Sequence, residues 1–274
     1  ARPRQLSVTQ IETWLGDPYA IYARHILQLK ALDDIDADPG RADLGIRVHA
    51  ALAEFIRRFP RNLPDDPLSE LLAIGHRQFA DVLPRPGAWA FWWPRFKRIA
   101  RWIIDEEAAH RATTLESFGE LKGGLTLSGL PGGTFELVAT ADRIDRLASQ
   151  EFLLIDYKTG SLPTKRAVAS GFAPQLPLEA AILRDGSFGE LSGTPAALEY
   201  WKLGGRAPAG QRYAIGDGNP AELIDRVSDK VRALIARFDD RDTPYLASPV
   251  PARRPRFSDY EHLERLGRNE AEEW

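Results

Sequence analysis

The chain has 274 residues, 43% hydrophobic and 27% charged, enough to bury an apolar core in one large domain or two small ones, which excludes disorder and fibre. It contains no Cys, which removes thiol nucleophiles, thiolate zinc sites, iron-sulfur clusters and disulfides and leaves His and carboxylates as the strong metal ligands. A formal charge of −3 argues against a free-standing basic nucleic-acid binder, but not against one whose affinity a partner supplies.

The start, ARPRQLSV, has no apolar signal-peptide core behind it, and no apolar run reaches membrane-span length. A soluble, cytoplasmic protein without a membrane partner is expected. The absence of Met, with Ala1 first, reads as a fragment.

Ser7 and Gln10 have capping-box spacing, and Ile11, Trp14 and Leu15 follow at helical intervals, so a short helix opens the chain. Asp17 caps a second helix with Pro18 at its first position and Tyr22, Ile26 and Leu29 as its buried stripe. Asp33 to Arg41 reads as a loop. Leu44 to Phe59 is helical, with Val48, Leu52, Phe55 and Phe59 on one side and His49 on the flank beside Ile46, Ala53 and Ile56. Further helices are expected from Pro67 to Val82 and from Trp92 to Ala112, which makes residues 1–113 all-helical.

The period then changes. Residues 116–157 read as an antiparallel meander with turns at Gly123 and Gly124 and from Pro131 to Gly133. Phe135, Leu137, Ala139 and Ala141 alternate with Glu136, Val138, Thr140 and Asp142, and the next strand, FLLIDY, ends in Asp156, Tyr157 and Lys158. A loop holding Pro163 and Gly171 precedes a helix from Pro174 to Leu183. Ala196 to Lys202 is another strand, and Leu223, Val227, Val231, Leu234 and Phe238 mark an amphipathic helix from Pro220 to Phe238. The tail from Asp242 to Phe257 is expected to run extended over the surface.

In the hairpin register that sets Leu147 against Glu151, Asp142 falls opposite Asp156, Lys158 joins them on one face, and Tyr157 points away. Opposed like charges destabilise a sheet, whereas a hard divalent cation between them reverses the sign. A lysine beside two such carboxylates suits phosphodiester hydrolysis. Taken singly, each group has a plainer role. Asp156 and Lys158 can be an ion pair, Asp142 can pair with Arg143 or Arg146, Asp145 with Arg143, and His49 can be a satisfied core histidine. FWWPRFKRIARW reads as an amphipathic helix before it reads as a single-strand stacking platform, and Lys165 and Arg166 as a solvated loop before a phosphate contact.

Gly45 and His49 on a helix, then ADRID, IDYKTG and APQLPLEAA, resemble the PD-(D/E)XK nucleases of the RecB-like class. Together with the opening LSVTQIETWLGDPYAIYARHILQL, they are most similar to the C-terminal nuclease domain of AddB, of the AddAB helicase-nuclease. The resemblance implies an α/β fold, a mixed sheet flanked by helices. Residues 1–113 form a helical region that packs on the core and contributes His49, and residues 114–274 form the nuclease core with a C-terminal helix and extended tail. It implies metal ligation by Asp142, Asp156, the Tyr157 carbonyl and His49, with Lys158 catalytic and Gln175 placing the lysine and the DNA. It implies Mg²⁺, replaceable by Mn²⁺, and exonucleolytic cleavage in double-strand-break repair of single-stranded DNA fed by an AddA-like helicase-nuclease subunit.

Two departures stand out. Many relatives carry Tyr where this chain has Glu179. Many AddB domains also hold an iron-sulfur cluster, which a chain with Asp17 before Pro18 and no Cys cannot, so packing by Tyr245, Phe257 and Tyr260 is expected to pin the two ends. The rival readings are a catalytically silent nuclease fold that binds DNA or assembles a complex, and a free-standing CRISPR-associated RecB-like nuclease.

Overall fold

The chain enters as a short strand, Gln5–Ser7 (β1), and Ser7 then closes the expected capping box: its Oγ accepts the Gln10 N–H, and Gln10 Oε1 accepts from Ser7 N at 2.8 Å. The computed structural model describes residues 2–30, 40–82, 85–216, 219–249 and 259–264. The expected loop from Asp33 falls almost wholly outside them, as do Phe257 and the end of the tail.

Helix Val8–Gly16 (α1) buries Val8, Ile11 and Trp14. Pro18–Ile21 (α2) runs into a wide π-helical turn over Tyr22–Ile26. That turn rotates the inward face, so the expected stripe fails. Ala20, Ile21 and Ala23 are buried while Leu29 is exposed. Asp17 makes no side-chain cap on α2; fully buried, it accepts the Ser248 N–H at 3.3 Å instead.

Helix Arg41–Arg58 (α3) buries Val48, Leu52 and Phe55 as expected, but Ile46 is 67% exposed. Pro67–Gln78 (α4) stops earlier than expected and a 3-10 turn carries the chain on to Val82, whereas Pro86–His110 (α5) begins before Trp92. The all-helical reading of the first 113 residues needs one correction, β1. Three residues are too few to show alternation.

Thr114–Leu127 (β2), Phe135–Leu147 (β3) and Phe152–Lys158 (β4) form the expected antiparallel meander. The turn at Pro131–Gly133 is present, but Gly123 and Gly124 lie inside β2. A Cβ on Gly123 would stand 2.4 Å from the Phe188 ring and 2.6 Å from the Ser187 carbonyl oxygen, so glycine there admits the strand Ser187–Phe188 (β5). Gly123→Val is therefore expected to destabilise by about 1–3 kcal/mol. Gly124→Ala, whose Cβ would find its nearest neighbour at an ordinary 3.5 Å, should cost less. Equal denaturation midpoints for the two variants would refute the close approach.

A short helix, Lys165–Ala169 (α6), replaces part of the expected loop, followed by Gln175–Asp185 (α7). Pro195–Lys202 (β6) runs parallel to β4, and Gln211–Ile215 (β7) closes the sheet edge. Pro220–Asp239 (α8) and the short Glu261–Glu264 (α9) complete the described elements. The strand order is β5-β2-β3-β4-β6-β7. On one face α1, α7 and α8 close over Leu154, Ile182, Leu198 and Val227; on the other α3, α4 and α5 close over Phe55, Ile74, Phe96 and Trp201.

The edge of β3 positions everything that follows. β2 occupies one edge along its length, so the opposite edge is shared: β1 pairs in parallel at Glu136–Val138 and β4 antiparallel at Arg143–Arg146. Between these stretches the edge is open, and Asp142 lies there.

Packing pins the first described segment to the last ones. Tyr245 stacks parallel to Trp14, at 6.4 Å between ring centroids, and meets Phe238 and Tyr22, while Tyr260 donates to the Leu29 carbonyl at 2.9 Å.

Candidate active site

The β3–β4 ladder has the expected register but stops at Arg143 and Ile155, one pair short of Asp142 and Asp156, so these two are not a cross-strand pair. The Asp142 side chain replaces the missing backbone partner, its Oδ2 accepting the Tyr157 N–H at 2.9 Å. A residue's N–H and C=O leave a strand on the same edge, so the Tyr157 carbonyl faces this opening as well. Meanwhile β4 stays paired with β6 through Lys158.

From the α3 side, His49 Nδ1 meets Asp142 Oδ1 at 3.1 Å, with its ring edge-on to Tyr157. Gly45, one turn earlier, lets α3 close on the end of β4, since a Cβ there would lie 2.8 Å from Thr159 Oγ1. From the α7 side, Gln175 begins its helix beside Asp156 and Lys158. Lys158 Nζ donates to Asp156 Oδ1 at 3.0 Å and to Gln175 Oε1 at 2.9 Å. Gln175 Nε2 donates to Asp156 Oδ1 at 2.7 Å and to Glu179 Oε1 at 3.1 Å. The opening thus gathers His49, Asp142, Asp156, the Tyr157 backbone, Lys158 and Gln175, all six residues singled out in the sequence. It adds Glu179, noted there only as a departure.

Burial dominates the electrostatics. It pushes the Asp156 carboxyl up to about 6, with Lys158 opposing and Asp142 adding. It raises Glu179 well above its ordinary carboxyl value, with Asp156 and Asp142 adding. For His49 and Lys158 burial works against the charged form, but contacts with Asp142 and Asp156 outweigh it and both are raised. Glu12 on α1 also feels the site: burial raises its carboxyl while Lys158 pulls it down. Its α1 position, far from the motifs in sequence, gave no signal.

As the side chains stand, no three His, Asp or Glu among the described residues close into a metal cage, and Lys158 supplies the positive charge beside Asp156. The donors nonetheless fit a hard cation, being carboxylate and carbonyl oxygens and one imidazole. Asp156 Oδ2 is buried and makes no well-directed hydrogen bond, although Lys158 Nζ lies 2.9 Å away.

Across the sheet lies a second polar cluster. Arg143, fully buried, donates to Asp145 Oδ1 at 2.7 Å, to Glu107, to Ser117 Oγ at 3.2 Å and to Tyr157 Oη at 3.4 Å; His110 Nε2 meets Asp145 Oδ2 at 2.6 Å. Asp145 is thus an ion-pair partner, as expected. The FWWPRFKRIARW segment lies in α5, where Phe96, Ile99 and Ala100 are buried, Arg95 donates to the Gly204 and Thr159 carbonyls and Arg98 to that of Gly205. Arg95 and Arg98 tie the helix to the loops that follow β4 and β6.

The family model of the PD-(D/E)XK nuclease superfamily matches residues 5–251. An uncharacterized protein of Rickettsia bellii (strain RML369-C) is 30% identical over 186 residues, covering 68% of this chain and 22% of that protein. An uncharacterized protein of Rickettsia conorii (strain ATCC VR-613 / Malish 7) is 31% identical over 191 residues, covering 68% and 23%. The chain spans less than a quarter of the length of these curated relatives. A solved structure described as the crystal structure of SSO0001 superposes with a TM-score of 0.36 at 13% identity, covering 84% of this chain and 76% of that one.

Proposed function

The chain belongs to the PD-(D/E)XK nuclease superfamily, and on that premise we propose that it hydrolyses phosphodiester bonds of DNA with a divalent cation, Mg²⁺ or Mn²⁺. The observation that carries this reading is the convergence of His49 and Asp142 from one side of the sheet opening with Asp156, Lys158 and Gln175 from the other.

In this reading Asp142, Asp156, the Tyr157 carbonyl and His49 hold the cation. The bound cation supplies Lewis acidity and neutralises charge on the phosphoryl oxygens. Lys158, kept protonated by its carboxylate neighbours, places an ammonium where negative charge builds in the transition state. Gln175 holds that ammonium from the far side and at the same time orients Asp156.

The finer proposal follows the motif resemblance to AddB. The substrate is then a single strand, cut exonucleolytically during double-strand-break repair in the cytoplasm, and an AddA-like helicase-nuclease subunit delivers it. The net charge of −3 supports a partner that supplies DNA affinity. Among the described residues no helix is long and apolar enough to cross a membrane.

The test is cleavage of end-labelled single- and double-stranded DNA by the whole protein with its helicase partner, with Mg²⁺ and with chelator. Cation-dependent shortening of the single strand is expected. Cleavage unaffected by chelator would sink the cation-dependent reading, and no cleavage under any condition would favour a silent fold that only binds or assembles.

A further inference from the structure

The amide of Gln175 is committed on every side. Its Oε1 takes the Lys158 ammonium at 2.9 Å, and its two Nε2 hydrogens go to Asp156 Oδ1 at 2.7 Å and to Glu179 Oε1 at 3.1 Å. Reversed, the amide would set its oxygen against two carboxyl oxygens and its NH₂ against an ammonium, so the network admits one sense only. Glu179 lies one helical turn beyond Gln175 on α7 and is 1% exposed. A carboxyl so deeply buried and crowded by two others is costly to keep, and among the described residues its hydrogen-bond partner is Gln175.

We propose that Glu179 is a positioning residue of the nuclease site: by accepting one Gln175 hydrogen it fixes the sense of that amide, and with it the oxygen on which Lys158 rests. This rests on the nuclease reading above. What the contact requires of residue 179 is an acceptor oxygen at that reach, which a Gln side chain also supplies. Glu179 therefore acts through Gln175.

Two measurements test it. The first uses metal-free protein with ¹⁵N-labelled Gln, its Gln175 side-chain signals assigned by their loss in Gln175→Leu. Both Nε2 hydrogens should exchange slowly in the wild type and in Glu179→Gln, whereas in Glu179→Leu one should move toward the position of a free amide and exchange fast. Unchanged signals in Glu179→Leu overturn the proposal, whatever the protein does to DNA.

The second measurement is kinetic. Glu179→Leu should lower kcat roughly ten- to a hundredfold with KM unchanged, Glu179→Gln should recover most of the loss, and Glu179→Leu added to Gln175→Leu should cost nothing more. Full additivity of the two leucine variants, or a Glu179→Gln variant as inactive as Asp156→Ala, overturns it. A wild type that cleaves nothing while the amide signals behave as expected would reject the nuclease reading and leave the Glu179–Gln175 contact standing.

Discussion

Asp156→Asn and Lys158→Ala should each remove DNA cleavage by a factor on the order of 10³ or more, because each deletes a charged group that acts on the reacting phosphate or on its cation. The two losses have different structural consequences. Asp156 is 1% exposed and its carboxylate is crowded by burial and by Asp142, so its charge is a burden on the fold; Asn keeps the shape and removes that charge. Asp156→Asn should then melt no lower than the wild type while being inactive. Lys158→Ala, by contrast, leaves the buried Asp156 carboxylate without its cation, so some loss of stability should accompany the loss of activity. Inactivity together with retained stability in Asp156→Asn separates a site built for chemistry from a structural ion pair. Cleavage at wild-type rate by both variants would dissolve the site as assigned.

The hairpin register was legible from residue types alone. A short loop at Ala148–Gln150 flanked by two apolar runs leaves one pairing that keeps Leu154 and Ile144 inside, and the ladder follows it from Arg143 to Arg146. The point at which pairing stops was not legible. It depends on the Asp142 side chain winning the Tyr157 N–H from the neighbouring backbone, a contest of geometry rather than of period. β5 and β1 were missed because two or three residues carry no alternation, and β5 also turned the Gly123–Gly124 signal from a turn into a close approach. His49 came from a motif, since its ring lies 93 residues from Asp142 and no local pattern links them. Glu179 could have been found by its spacing of one turn from Gln175, but burial is what makes it informative, and burial is a property of the fold.

Arg143→Met should cost roughly 3–5 kcal/mol of stability, among the largest losses available to a single substitution here. Arg143 has no exposed surface, lies over the Trp201 ring at 5.5 Å, and is held by Glu107, Asp145, Ser117 and Tyr157. Removing it takes from two fully buried carboxylates the cation they share, leaving Glu107 with Arg111 at 2.7 Å and Asp145 with His110 at 2.6 Å, which is worse than removing the whole group. Arg143→Met combined with Glu107→Leu and Asp145→Leu should accordingly recover part of the loss. The pH dependence carries the sign. Burial pushes Asp145 up, but Arg143 and His110 overcome it and hold it at about 2, below its ordinary 3.8. In the wild type the unfolded chain therefore takes up that proton first, and the stability Asp145 contributes is complete above about pH 4 and is lost as pH falls toward about 2. In Arg143→Met both carboxylates lose the cation they share, so protonation relieves the variant as pH falls. The stability gap between wild type and Arg143→Met should thus narrow from pH 8 toward pH 4 in denaturant titrations. Tyr157 ties this to function, since its hydroxyl touches Arg143 and its N–H holds Asp142, so the variant should also lose cleavage at temperatures where it is still folded. A gap that stays constant across that pH range would mean that the cluster is not charged as assigned.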